Sequence, residues 1–142
     1  MWNFAITRVK LAQLATDPVS GFDKQYQLPT DWIRTVQVFD NDGDLGRVEY
    51  RLEGSALLSN ATDIYLRYVN RVTDPNAMTP DFREVLAWRL AMDLAISIAN
   101  SGTLHDRMVV QYRSHLRHAK STDAIEDFPL DVPDGSWLDG RN

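Results

Sequence analysis

The sequence predicts an α+β fold in which strands come first and helices last. Three observations carry this prediction. Up to about residue 72 the chain holds short stretches in which apolar and polar residues alternate, the period of a half-buried strand. From Thr79 to about Ser121 the apolar spacing becomes three and four, the period of a helix. After that, Pro129, Pro133 and Gly135 interrupt any regular element. Strands followed by helices give α+β by order of elements. The expected architecture is an antiparallel helical core (a helical hairpin about 80–120), a small antiparallel β-sheet region (about 2–72) and an extended C-terminal tail. In domain terms this is one main domain over 1–122, β-rich in 1–75 and helical in 79–122, followed by an acidic tail over 123–142.

Each element has its own signal. In WNFAITRVKL (2–11), Phe4 and Ile6 share one parity and Val9 and Leu11 the other, so a strand there requires a bulge. WIRTVQVF (32–39) is rich in β-branched and aromatic residues and predicts a strand. RVEYRLE (47–53) alternates cleanly, with Val48, Tyr50 and Leu52 inward and Arg47, Glu49, Arg51 and Glu53 outward. EGSALLSNAT follows; Gly54 and the Ser59–Asn60 pair favour turns, leaving a short middle strand around Ala56–Leu58. DIYLRYVNRV (63–72) places Ile64, Leu66 and Tyr68 inward. The first helix opens on Thr79 as N-cap, Pro80 at the first helical position and Asp81 in the first turn. Its apolar stripe is Leu86, Leu90, Leu94 and Ile98, flanked by Val85, Trp88, Met92 and Ile96. So wide a face predicts burial on more than one side. Asn100 to Gly102 closes the helix. The second begins at once, with Thr103 and Asp106 spaced as a capping box and Leu104, Met108, Tyr112, Leu116 and Ala119 as its stripe. So short a connection makes the pair antiparallel.

The totals narrow the classes of function. The chain has 142 residues, 44% hydrophobic and 25% charged, which fits one globular domain and excludes a disordered chain. No apolar run approaches the roughly 20 residues that span a bilayer, so no membrane partner is expected. Arg8 and Lys10 stand where a secretory signal needs apolar residues. Absence of cysteine excludes disulfides and thiolate metal sites and fits a reducing cytoplasm. The net charge of −5 is uneven. Residues 121–142 hold six acids (Asp123, Glu126, Asp127, Asp131, Asp134, Asp139) and one base, Arg141. Of 15 Lys+Arg and 20 Asp+Glu, 14 of each therefore remain in residues 1–120. A general nucleic-acid binder needs a clustered basic surface instead.

No active site is visible. Asp40 to Asp44, DNDGD, begins like a calcium loop, but Leu45 stands where that loop needs Gly and Arg51 where it needs Glu; an acidic hairpin turn accounts for it better. His115 and His118 stand three apart on the second helix, beside Arg113, Arg117 and Lys120, and read as a solvated face rather than a metal pair. There is no Gly-x-Ser-x-Gly, no cysteine nucleophile and no glycine-rich phosphate loop. Glu84 and Asp93 read as the polar side of a helix, and Glu49 and Glu53 as the wet face of a strand. The sequence therefore predicts no catalytic residue, no cofactor site and no metal site.

Five fragments in order, covering nearly the whole chain, resemble the head-to-tail adaptor (connector) family of tailed bacteriophages, which includes the tail tubular protein A group. WNFAITRVKLA (2–12) resembles the family's W-x-F-A segment, and YQLPTDWIR (26–34) its Leu-Pro-x-Asp signature. RLEGSALLSNATDIYLRYVNRV (51–72) resembles its hairpin, in which a Glu-Gly pair leads into a short strand, a polar turn and an Arg-Tyr-rich strand. TPDFREVLAWRLAMDLA (79–95) is similar to its first core helix and SWLDGR (136–141) to its Trp-containing terminus. Family members usually carry a helical segment ahead of W-x-F-A, where only Met1 stands here; the resemblance then implies either a chain without those helices and with a smaller bundle, or a start that is not the natural one.

The resemblance implies a non-enzymatic virion protein at the head–tail junction, synthesised in the host bacterial cytoplasm. Its partners would be the portal protein, the tail (nozzle or tail-tube) proteins and further copies of itself, commonly twelve in a ring. Packaged DNA would pass through the bore without sequence-specific binding. The ring would close the filled head and offer a platform to the tail. Within that role Phe128, Leu130, Trp137, Leu138 and Arg141 are the expected partner interface, since aromatic side chains commonly dominate such contacts. Two other readings compete. A small DNA-binding or packaging factor would use Arg107, Arg113, Arg117 and Lys120, against the balanced charge of residues 1–120. A virion-associated hydrolase would need a carboxylate such as Glu84 or Glu49.

Overall fold

The alternation in the first half of the chain builds two sheets rather than one small sheet region. The computed structural model describes residues 1–40 and 48–126. Its strands are β1 (Ile6–Lys10), β2 (Lys24–Gln27), β3 (Trp32–Phe39), β4 (Tyr50–Glu53), β5 (Ala56–Ser59) and β6 (Tyr65–Asn70). Two helices follow, α1 (Pro80–Ser97) and α2 (Gly102–Ile125). One sheet has the order β1-β6-β3 and the other β2-β5-β4, and every pair is antiparallel. The chain is thus α+β, and it divides into two compact units, Met1–Arg83 and Glu84–Asn142.

Both sheets contribute to one apolar cluster in the first unit. Leu66 and Tyr68 of β6 and Val38 of β3 come from one sheet, Tyr26 of β2 and Leu57 of β5 from the other, and Leu11, Leu28 and Ile64 from the flanking segments. Ile64, Leu66 and Tyr68 all point inward, as period two predicts. Each buried phenol keeps a partner, as buried polar groups must. Tyr26 donates to the carbonyls of Ala61 and Thr62, and Tyr68 donates to Asp31 Oδ1 at 3.0 Å. Burial raises the pKa of Tyr26; burial and the Asp31 hydrogen bond push that of Tyr68 up to about 12.

Three features of this unit depart from expectation. In residues 2–11 a 3-10 turn at Asn3–Ala5 replaces the expected bulge, removing Phe4 from the strand but leaving Ile6 and Val9 on opposite sides of β1. Phe4 belongs to that turn, and β1 then pairs without interruption from Ile6↔Val69 to Lys10↔Tyr65. The irregularities lie in β3, where the register shifts between Trp32 and Arg34 and between Thr35 and Gln37. Second, β2 has no alternating apolar set, because KQYQ contains only Tyr26, and the sequence shows no signal for it. Third, β4 is present but not inward-facing: Tyr50 and Leu52 are 39% and 37% exposed. Among the described strands β4 pairs with β5 alone, so it is an edge, and only Val48 on its approach packs against the core. The hairpin between them has two central residues. Gly54 takes φ +57, which an L side chain adopts only at a cost.

The helices start and stop by local rules. The Thr79 carbonyl accepts from the Arg83 amide at 3.0 Å, so α1 begins where the threonine and Pro80 indicate. It ends as Asn100 enters the left-handed region at φ 45, its N–H donating to the Ile96 carbonyl at 3.2 Å. The cap of α2 is not the Thr103–Asp106 box. Ser101 holds that place, its hydroxyl accepting from the Leu104 amide at 3.2 Å, while Asp106 lies 3.4 Å from His105 Nδ1. Helix α2 then runs to Ile125, past the tail boundary expected at 122–123, because no breaker intervenes before Pro129.

Candidate interaction surfaces

A helix turns by about 100° per residue. On α1 this sets Val85, Trp88, Met92 and Ala95 on one side and Leu86, Leu90, Leu94 and Ile98 on the opposite one. The first set is the one that is covered: Val85 and Ala95 are buried, Trp88 and Met92 half-buried. The second is open, with Leu86, Leu90, Leu94 and Ile98 exposed by 40%, 53%, 49% and 77%. The expected inward stripe is therefore the outward one. Spacing of four drifts about 40° around the helix at every step. Mixed spacing of three and four keeps a straight stripe that a neighbouring helix can cover.

Helix α2 presents the stripe expected of it in Met108, Tyr112, Leu116 and Ala119, though Leu104 at its start is exposed. His115 shares this inward side. Its ring stacks on Trp88 with centroids 5.3 Å apart and planes 20° apart, and its Nδ1 lies 3.3 Å from Glu84 Oε1. The Arg89 guanidinium stands 5.9 Å from the centre of the Tyr112 ring and 3.3 Å from Asp93. Contacts that descend α2 while ascending α1 make the helices antiparallel. The expected solvated histidine pair is thus corrected: His118 is exposed, whereas His115 is a packing residue. Among the described residues no three His, Cys, Asp or Glu side chains could hold a metal. Of the DNDGD turn only Asp40 falls within them.

The first unit carries two further features. Trp2 and Phe4 close on Phe82, each with ring centroids 5.0 Å from it, so the N-terminal turn and the first turn of α1 form one aromatic knot. A cleft of about 540 Å³ lies between residues 16–22 and the sheet face bearing Gln25, Arg51 and Leu58. Gln25 Nε2 donates to the Thr16 carbonyl at 2.6 Å across it. Asp17, Glu49, Arg51 and Glu53 line it. At the surface, Lys10 binds Asp63 at 2.8 Å, and that hydrogen bond raises the lysine pKa.

The expected interface residues Phe128, Leu130, Trp137, Leu138 and Arg141 lie outside the described residues. The open edge of β4 with exposed Tyr50 and Leu52 escapes sequence reading, since edge position depends on pairing and not on the strand's own residues. What the geometry defines is an α+β chain with a helical hairpin, an open apolar helix face and an open sheet edge. Comparison with protein-family models gives no match, and comparison with curated proteins gives none.

Proposed function

We propose that the protein is a head-to-tail adaptor of a tailed phage, a non-enzymatic structural part that forms a ring between portal and tail. The observation that carries this reading is the outward face Leu86, Leu90, Leu94 and Ile98. Fully burying a Leu or Ile side chain is worth about 1.5–3 kcal/mol. Four such residues, on average about half exposed, therefore offer roughly 3–6 kcal/mol. Association costs about 4–15 kcal/mol in lost freedom, so one such contact does not hold two free copies together. A ring seated on a portal supplies contacts on both sides of each copy, and the contact is then heterologous, face to different face.

Two placements add support. The W-x-F-A segment and the Thr-Pro-Asp-Phe helix start, distant in sequence, meet in the Trp2–Phe4–Phe82 knot. The Glu-Gly pair of the hairpin fragment sits at its tight turn, with Gly54 at positive φ. Balanced charge over residues 1–120 suits a bore that passes DNA without gripping it.

Mixing the purified chain with portal and imaging by negative stain tests the reading. We expect weak association of the chain alone and a closed ring once portal is present. Leu90→Asp blocks ring closure without unfolding the chain. Deleting residues 127–142 leaves the melting temperature almost unchanged but prevents joining to portal. A chain that stays monomeric with every portal and tail partner, or a truncated chain that assembles normally, overturns the adaptor role.

A further inference from the structure

The outer side of the sheet β1-β6-β3 gathers cations that lie far apart in the sequence. We infer that this face binds the phosphate backbone of a nucleic-acid duplex, weakly and without regard to base sequence. The inference is independent of the ring reading, and either can fail alone.

The pairing register builds the face. Leu66 and Tyr68 of β6 and Val38 of β3 point into the core, with Val9 of β1 packed against it, so the alternate positions point outward. Strict alternation back from Val38 would turn Arg34 inward as well. The shift between Thr35 and Gln37 turns it out instead, opposite Val69. Arg8 stands opposite Arg67, and Lys10 opposite Tyr65. Three outward positions on each strand make nine; four of them are basic (Arg8, Lys10, Arg34, Arg67) and none is acidic. Two residues along a strand span about 6.6 Å and neighbouring strands lie about 4.8 Å apart, so the patch measures roughly 13 by 10 Å. Arg8, Lys10 and Arg34 are exposed and Arg67 is half-buried.

Folding gains nothing from this arrangement. Arg8 and Arg67 are direct cross-strand neighbours, and like charges so placed are destabilising. An anion seated over them turns repulsion into attraction. Two of the cations already rest on rings, which lowers the cost of ordering them. The Arg8 guanidinium stands 6.0 Å from the centre of the Phe39 ring, and the Lys10 ammonium 5.6 Å from that of Tyr65. Lys10 also binds Asp63 at 2.8 Å and therefore adds little. Among the described residues no ion pair involves Arg34 or Arg67.

The chemistry of the patch favours phosphate over a protein partner. The centre of a protein–protein interface is depleted in charge and enriched in aromatic anchors, whereas protein–DNA interfaces are strongly positive. Here charges hold the centre. Phe39 and Tyr65 stack on one another at 5.6 Å and each carries a cation above it. That closure also leaves no ring for an unpaired base, which single-strand binders need. What remains is a set of arginine forks, the side chain best matched to phosphate oxygens. The equal charge totals of residues 1–120 conceal this clustering, and it lies on the sheet rather than on α2. Two or three phosphate contacts make a salt-sensitive hold, not a grip.

The test uses the full chain without portal. Amide shifts in NMR are followed as a short duplex, a second duplex of different sequence, or polyglutamate is added. We expect shifts at residues 6–10, 34–39 and 65–70, with both duplexes binding alike near 10⁻⁴ M, the weak end of about 10⁻⁴–10⁻⁶ M for non-specific contacts. Between about 50 and 200 mM salt the affinity should fall about 10- to 40-fold, as two or three contacts require. Arg34→Gln and Arg67→Gln should each lower the salt slope by about 1 and the affinity by about fivefold. Arg113→Gln, on α2, should change neither. Arg34 is exposed, so its variant keeps the test valid even where Arg67→Gln loses its fold. Absence of shifts with either duplex, or an unchanged slope in the sheet variants, overturns the inference. Loss of binding in Arg113→Gln moves the site to α2 and overturns it equally. Polyglutamate bound as tightly as the duplexes overturns nucleic acid as the occupant.

Discussion

Replacing Trp88 with alanine tests the assignment of α1's two faces directly. Trp88 is half-buried and its ring lies flat on His115 at 5.3 Å. Truncating a fully buried Trp costs about 3–5 kcal/mol. Half burial halves the apolar part, and loss of the ring pair adds about 0.5–1.5 kcal/mol, so the expected cost is about 2–4 kcal/mol. In a chain of this length each kcal/mol lowers the melting temperature by about 2–4 °C, which gives a drop of roughly 4–16 °C. Leu90→Asp sits on the opposite face, 53% exposed, and its cost should stay within about 0.5 kcal/mol, as for ordinary surface changes. Chemical denaturation of both variants at a concentration where the chain is monomeric gives the comparison. Equal destabilisation, or a larger loss for Leu90→Asp, would show that the leucine face is the packed one and would remove the basis of the ring reading.

Three further outcomes are expected. Folding favours the neutral phenol of Tyr68, whose pKa is raised from 10.0 to about 12. That stabilisation is complete below about pH 10 and is lost as pH rises through about 12, amounting to about 2–3 kcal/mol at about 1.4 kcal/mol per pH unit; Tyr68→Phe should flatten the alkaline limb of stability against pH. Ser101→Ala removes the cap on the Leu104 amide and should cost about 1 kcal/mol in thermal unfolding, whereas Thr103→Ala should cost almost nothing. Gly54→Ala meets no atom within 4 Å, so its expected cost of about 1–2 kcal/mol is backbone strain at positive φ alone; Gly102→Ala, at a helix start, should be neutral or slightly stabilising by the same measurement.

What the sequence shows and what it hides divide along a physical line. Ile64, Leu66 and Tyr68 are legible because period two maps onto one side of a strand whatever the strand's neighbours are. Thr79–Pro80 and Asn100 are legible because capping is a matter of a few adjacent residues. The orientation of α1 is not, since the helix is apolar on opposite sides and its amphipathic pattern is ambiguous. The side that is inward is fixed by tertiary contacts, among them that of Trp88 with His115. The exposure of Tyr50 and Leu52 is hidden for a similar reason: alternation says that one side is apolar, not that a second layer lies over it. The misplaced histidine follows from the same limit, as His115 and His118 stand only about 60° apart around the helix, and the covering of one and not the other depends on the partner helix. In the two apolar cases, the α1 leucines and the Tyr50–Leu52 pair, the residues that local pattern misassigns end up uncovered. An uncovered leucine helix face and an uncovered strand edge in one chain are costly to leave in water and hazardous to leave unpaired. On the ring reading proposed above, copies that meet one another cover the leucine face, and that account fails if Leu90→Asp assembles with portal as the unaltered chain does.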